Sequence, residues 1–201
     1  MGTLAKRPLL PFVLTAILLV LDQATKYLIV MNIKLGTIGW SAFGDFFWLV
    51  RQQNTGIAFS MGDNLAIEIR RVLFIALPLA LIVGLLVYYF RSDEPTKFQR
   101  WTIAGIVAGG LGNLVDRIFR PSGVVDFLSF KFYGLFGLER WPTFNVADAS
   151  TVCSVILLAI SLILAKDGGG MAGGARNGGA KDGGARNGGA KDGDGAGRSA
   201  K

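Results

Sequence analysis

The sequence predicts an all-α membrane protein with four transmembrane helices, and three observations predict it. The 201-residue chain is 51% hydrophobic with a mean hydropathy of +0.46, too apolar for an ordinary soluble domain. Four apolar runs are each long enough to cross about 30 Å of hydrocarbon. The residues between them are either short and charged or mixed in polarity, as interfacial and extramembrane loops are.

The first run covers residues 9–31 and is interrupted by the polar group DQATK at 22–26. Lys6 and Arg7 precede it, as in a secretory leader. No small-residue cleavage pattern follows and helix-compatible sequence continues past Lys26, so the run is expected to be a retained span. The second run, 72–90, holds Pro78, which is expected to kink the helix rather than end it. A charged loop, RSDEPTKFQR at 91–100, leads to the third run at 101–119, where Trp101 suits an interface. The fourth run, 146–165, is closed by Lys166.

Two mixed loops remain, 32–71 and 120–145. In the first, DFFWLVRQQ at 45–53 has the aromatic and β-branched content of a strand, and Gly36, Gly39, Gly44, Gly56 and Gly62 mark turns. Residues 64–71 fit a short amphipathic helix lying on the membrane surface. From Asp167 onward the chain is Gly-rich and repetitive, with GGARNGGAKD at 173–182 recurring at 183–192. Such a tail has too little apolar bulk to offset its ordering entropy, and is expected to be disordered. The domain division is therefore 1–166, membrane domain, and 167–201, tail.

The net charge of +7 lies largely in the terminal tails and the 91–100 loop. Beside a membrane this points to anionic lipid as a partner rather than nucleic acid. The chain has no histidine, which removes Ser-His-Asp and Cys-His catalysis and HExxH zinc chemistry. The lone cysteine, Cys153, cannot form an internal disulfide or a cysteine metal cluster and is expected to be a packed, inert thiol. No metal or cofactor is expected, and catalysis falls to Asp, Glu, Lys, Ser or Tyr.

Four spans put both termini on one side and both mixed loops on the other. Asp22 and Lys26 lie late in span one, Asn113, Asp116 and Arg117 late in span three, and Asn145 and Asp148 at the start of span four. With Asn54 and Asp126 in the loops, all converge on one leaflet, whichever way the protein faces. Ionisable groups at membrane depth are costly and usually face a bundle interior or cavity, so one shared site is expected. Lys6, Arg7, Arg91, Lys97 and Arg100 favour a cytoplasmic side for the termini, although Arg51, Arg70, Arg71, Arg117, Arg120, Lys131 and Arg140 fall on or near the other side.

Each motif carries a structural reading beside a chemical one. Asp22 and Lys26, at i and i+4 with the acid first, form an intrahelical ion pair, with Lys26 snorkelling to the interface, or take part in chemistry. NTGIAF at 54–59 is a hairpin turn or a loop whose Gly56 lets backbone polar groups approach a ligand. GGLGNLVDR at 109–117 has small residues for close helix packing and places Asn113 and Asp116 on one face. Arg117 or Arg120 is available to pair with a carboxylate. VVDF at 124–127 is a surface turn or a buried acid held protonated. FNVAD at 144–148 is an N-cap with Asp148 at the third helical position, or half of a catalytic pair. Without histidine, two converging aspartates are the most economical hydrolytic machinery: they share a proton, one activating water and the other polarising a carbonyl.

In order and spacing, DQATK, NTGIAF, GGLGNLVDR, VVDF and FNVAD resemble the lipoprotein signal peptidase (signal peptidase II) family over residues 9–165. The resemblance implies a bacterial aspartyl endopeptidase of the cytoplasmic membrane. It would remove signal peptides from prolipoproteins by cutting before the diacylglyceryl-modified cysteine. It implies Asp126 and Asp148 as the catalytic pair. Asn54, Gly56, Asn113, Asp116, Arg117 and Asn145 would line or brace the site, and Asp22 and Lys26 would be structural. It also implies a small extracytoplasmic β-cradle and a short surface helix in 32–71. A monomer is expected, with the site near the outer face and both termini cytoplasmic. LFGLERW at 135–141 has no reading. The rival functions are a proton-coupled transporter, a non-catalytic scaffold and a Ser60–Lys26 dyad.

Overall fold

The computed structural model describes residues 8–55 and 67–173. Four helices in it are long and apolar enough to cross a membrane. Among the described residues the elements in chain order are α1 (Pro11–Asn32), β1 (Ile38–Ala42), β2 (Phe47–Asn54), α2 (Ile67–Arg91), α3 (Lys97–Phe119), β3 (Val124–Phe130), a 3-10 turn (Leu135–Gly137) and α4 (Val146–Gly173).

Helix boundaries follow their local chemistry. Pro11 stands in the first turn of α1, where a missing N–H costs nothing. α3 starts four residues before the predicted run because Thr96 and Gln99 form a capping box. Gln99 N–H donates to Thr96 Oγ1 (3.2 Å), and Thr96 N–H to Gln99 Oε1 (2.9 Å). Pro78 lies inside α2 without ending it. Residues 67–71, expected in a separate surface helix, open α2 instead; residues 64–66 lie outside those described. α4 is helical through Gly173, beyond the predicted end. Extending an established helix costs far less than nucleating one, so the apolar span carries its helicity into the Gly-rich sequence.

Over half of the α3 span is buried and less than a fifth of each other span, so α3 is the central helix and the others present apolar surface to lipid. Against α2 it packs Ile103, Val107 and Leu114 onto Ile82 and Tyr89. On the α1 side, Thr15 Oγ1 donates to the Ala104 carbonyl (2.8 Å). On the α4 side, Gly105 and Gly109 remove the side chains that would otherwise separate the helices. A Cβ at Gly105 would strike Ser154 Oγ, and one at Gly109 would strike Thr151 Oγ1 and the Ala147 carbonyl oxygen. Gly109→Ala is therefore expected to lower stability in detergent by about 1–3 kcal/mol, because a backbone oxygen cannot rotate away. Gly84→Ala, which meets nothing within 4 Å, is expected to leave the thermal midpoint unchanged. Equal midpoints for the two variants would refute the close-packing account.

The sheet has the order β1-β2-β3, all antiparallel. β2 is the strand the sequence predicts; β1 and β3 are additional. The sheet confirms the small β-structure expected at 32–71 but recruits VVDF from the second loop as its third strand. Asp126 thus lies on a strand, not in a turn, opposite Gln52 in register. Residues 140–144 cover the free edge of β3 through bridges at Leu128–Phe144 and Lys131–Arg140. Val125 and Phe127 of β3 pack with Ile29 and Val30 of α1, with Ile33 just past its end and with Val146 at the start of α4. Arg51 of β2 donates to the Val30 and Ile33 carbonyls (3.0 and 3.1 Å), satisfying oxygens that the end of α1 leaves free. The sheet is thereby fastened across the helix ends.

Candidate active site

The first turn of α4 is capped from three directions. Asn145 Oδ1 accepts from the Asp148 N–H (2.9 Å), and Asp148 Oδ2 accepts from the Asn145 N–H (3.1 Å), the reciprocal box that the spacing of FNVAD predicts. The Ala147 N–H donates to Asp22 Oδ1 of α1 (2.9 Å). Gly112 makes that approach possible, since a Cβ there would meet Asp22 Oδ2 at 2.7 Å and Ala147 Cβ at 2.8 Å.

Two asparagines join the two acids. The Asn145 amide donates to Asp126 Oδ1 (2.7 Å) and to Asn113 Oδ1 (3.1 Å). The Asn113 amide donates to Asp148 Oδ1 (2.7 Å). Asn54, at the end of β2, donates to Asp126 Oδ2 (3.1 Å). Each carboxylate thus accepts from two donors, and α3, β2, β3 and α4 each supply part of one network. Capping and convergence, alternatives in the sequence, coexist here in the same residues.

Asp126 is 3% exposed. Burial pushes its carboxyl up to about 6, and the nearby charge of Asp148 pushes the same way, while hydrogen bonds from Asn54 and Asn145 and the charge of Lys26 oppose them. A carboxyl near that value exchanges its proton close to neutral pH, as an acid–base catalyst must.

Beneath the pair lies a buried ionic layer. Lys26 is fully buried and does not snorkel: its ammonium meets Asp22 Oδ2 and Asp116 Oδ2, both at 2.9 Å, and Asn113 Oδ1 at 3.1 Å. Three donors on three acceptors leave it no lone pair to act as a base. Asn113 Oδ1, already accepting from Lys26 and Asn145, turns its amide nitrogen toward Asp148. Lys26 therefore orients Asn113 as well as neutralising acids. Asp116 also takes Arg120 Nε (3.0 Å) and the Val125 N–H (3.2 Å), fixing the start of β3 against α3. The sequence passed over Gln23, whose amide reaches Asp22 Oδ2 (3.1 Å), the Gly112 carbonyl (3.1 Å) and Asp116 Oδ1 (3.3 Å). Its signal was its place beside Asp22 within the polar group DQATK.

Of the two arginines expected to pair with a carboxylate, Arg120 does. Arg117 instead sits with its guanidinium 5.7 Å from the centre of the Phe74 ring, and its buried Nε has no hydrogen-bond partner among the described residues. It lines a cavity of about 320 Å³ between α2, α3 and α4, whose other polar walls include Asn113 and Asp148 and whose remainder is largely apolar, with Leu77, Leu81 and Ile106. Gly56 and Ser60 lie outside the described residues. Cys153 is exposed on α4 rather than packed, because α4 turns most of its surface away from the bundle.

Comparison with known proteins agrees with this architecture. The family described as Signal peptidase (SPase) II matches residues 14–164. The lipoprotein signal peptidase of Treponema denticola is 48% identical over 155 residues, covering 77% of this chain and 89% of the relative. That of Borreliella burgdorferi is 46% identical over 149 residues, covering 74% and 86%. Two solved structures described as a bacterial membrane enzyme, determined by the in meso method, superpose with TM-scores of 0.65 and 0.66 at 27% identity. They cover 81% and 80% of this chain and 93% and 97% of the matched chains. A four-span bundle, a three-stranded sheet over its end and this match across three quarters of the sequence lead to one conclusion: the chain belongs to the signal peptidase II family and is a membrane protease.

Proposed function

We propose that this protein removes signal peptides from prolipoproteins with Asp126 and Asp148 as its catalytic pair, cutting before the diacylglyceryl-modified cysteine. The observation that carries the reading is the joining of the two acids by Asn113 and Asn145 at the polar end of an apolar cleft. The cleft gives apolar signal-peptide residues or acyl chains a place between helices, while the scissile bond stays at the polar end. Asp148 is assigned the role of base because it stands in the first turn of α4, where a helix N-terminus favours negative charge. It takes a proton from water as the water oxygen attacks the scissile carbonyl carbon. Protonated Asp126 gives its proton to the carbonyl oxygen. The tetrahedral diol then collapses: one hydroxyl returns its proton to Asp126 as the carbonyl re-forms, the C–N bond breaks, and Asp148 gives its proton to the leaving amine.

In this reading the protein works as a single copy in the bacterial cytoplasmic membrane, with its termini inside and the site near the outer face. Several site-side arginines that oppose this orientation by simple counting have structural tasks. Arg51 closes α1, Arg120 pairs with Asp116, and Arg140 binds Ser129 and the Asp45 carbonyl.

The direct test is cleavage of a diacylglyceryl-modified prolipoprotein by purified protein. Wild type, Ser60→Ala and Cys153→Ser are expected to cleave at comparable rates. No cleavage by wild type would overturn the assignment of this substrate, and loss in Ser60→Ala alone would favour the Ser–Lys dyad. The pH profile gives a second check. Because Asp126 must hold a proton and does so below about 6 in the free enzyme, kcat/KM is expected to fall as pH rises through that value. A flat profile from about pH 4 to 9 contradicts a proton-sharing carboxylate pair.

A further inference from the structure

The segment 132–141, which the catalytic reading leaves without a task, is an ordered loop that holds large apolar side chains out of the fold. Its backbone closes on itself: Phe132 N–H donates to the Glu139 carbonyl (2.8 Å), Gly134 N–H to Leu138 (3.0 Å) and Trp141 N–H to Phe130 (2.9 Å). Tyr133 and Phe136 both adopt positive φ (53° and 55°), a conformation that non-glycine residues rarely take. Phe136 is nevertheless 84% exposed, so that backbone cost is not offset by burying its own ring.

A second tip lies beside it. The β1–β2 turn presents Phe43 (82% exposed), also at positive φ. The two tips are joined by Lys131 N–H donating to the Phe46 carbonyl (2.8 Å) and Arg140 Nη1 to the Asp45 carbonyl (3.0 Å). The result is two neighbouring exposed tips, Phe43 on one and Tyr133, Leu135, Phe136 and Trp141 on the other, joined at Lys131 and Arg140.

Its direction follows from how the sheet is fastened. β2 and β3 cross the end of α1 at Arg51 and at Val125 and Phe127, and the strands run on from there to the tips. A sheet packed by its face on helix ends has its strands across the helix axes. The three or four further residues carry the tips about 10–13 Å sideways, past the rim of a helix of about 5 Å radius. α1 leaves most of its apolar surface unburied, so the rim on its outward side adjoins lipid once the span is in a membrane. Aromatic side chains with adjacent cations are the composition that membrane–water interfaces select.

We propose that this double tip is a membrane-interface anchor. Phe43, Phe136 and their neighbours enter the headgroup layer of the leaflet next to the site and hold the sheet, with Asp126, at a set height over the bilayer. The contact is continuous with the lipid-facing surface of the spans and does not depend on the cleavage chemistry.

Site-directed spin labelling of the full chain tests this. In a Cys153→Ser background, Phe136→Cys and Phe43→Cys are labelled with a nitroxide and reconstituted into phosphatidylcholine–phosphatidylglycerol vesicles. Glu94→Cys serves as the aqueous reference and Ile163→Cys as the lipid reference. Collision with oxygen and with a water-soluble nickel chelate is measured at each position. The ratio of oxygen to nickel accessibility at 136 and 43 is expected to exceed that at 94 several-fold and to approach that at 163. A ratio equal to that at 94 overturns the proposal. So does spin–spin broadening at 136 that disappears on dilution with lipid, which would assign the patch to a second copy. Unchanged thermal midpoints of the labelled proteins in detergent establish that the fold is intact, whether or not the preparation cleaves prolipoprotein.

Discussion

Asp148→Asn is expected to lower kcat for prolipoprotein cleavage by about 10³-fold or more while leaving the fold in place, and Asp126→Asn to do the same. The size follows from the role. An amide at 148 cannot take a proton from water, and an amide at 126 cannot pass one to the scissile carbonyl. The two variants differ in stability, and that difference checks the electrostatics. Asp126 has a folded pKa raised to about 6 from 3.8. A raised carboxyl contributes stability below its unfolded value and loses it as pH rises through the folded value. At pH 8 wild-type Asp126 thus carries a folding cost on the order of 1–3 kcal/mol that Asn does not. The amide gives up one of two accepted hydrogen bonds, about 1 kcal/mol in return. Asp126→Asn is expected to be as stable as wild type or more so at pH 8, with the advantage gone below about pH 4. Measured by thermal unfolding in detergent, a large loss at pH 8 would mean that the acid is buried for structure. Substantial cleavage by either variant would remove that residue from the catalytic pair.

Lys26→Met is expected to destabilise the protein by about 3–5 kcal/mol, the cost of leaving buried acids without their cation. Asp22 and Asp116 are almost fully buried and share this ammonium, and Arg120 compensates only Asp116. Asp22→Asn added to Lys26→Met is expected to recover part of the loss. The amide removes the unpaired charge, and its oxygen still accepts from the Ala147 N–H. The single variant also frees Asn113 Oδ1 from one of its two donors. The amide is then no longer held toward Asp148, so kcat is expected to fall in the fraction that remains folded. Unfolding of both variants in detergent and their kinetics on prolipoprotein separate the two effects. A single variant within about 1 kcal/mol of wild type would show that the ionic layer is dispensable.

The parts of this architecture legible in the sequence are those that depend on neighbours along the chain. Run length set the four spans to within a few residues. The parity of four spans placed Asp22, Asn113, Asp116, Asn145 and Asp148 at one end of the bundle before any contact was known. The i, i+3 relation of Asn145 and Asp148 is a helix cap because capping geometry is local. The same spacing does not say that a cap also holds a second acid. That needs Asp126, brought in by β3, and Asn113, brought in by α3. The selection of Asp126 and Asp148 from the other acids came from the family motifs.

Only the tertiary structure decided the rest. Lys26 looked like a snorkelling lysine because it stands near a helix end. It is buried because α3 supplies Asp116 and Asn113, some 90 residues away, as partners. VVDF read as a surface turn or as a buried acid, and Asp126 is a buried acid on a strand because β2 pairs with β3. The apolar run around Cys153 looked like core, yet lipid accepts an apolar surface as readily as a core does, so composition could not say which way the thiol faces. In a membrane, hydrophobicity decides that a helix spans, and the length and order of spans decide which groups share a depth. Which polar groups touch is decided by small residues such as Gly109 and Gly112 and by hydrogen bonds between distant elements, because a buried donor or acceptor must find its partner wherever the chain supplies one.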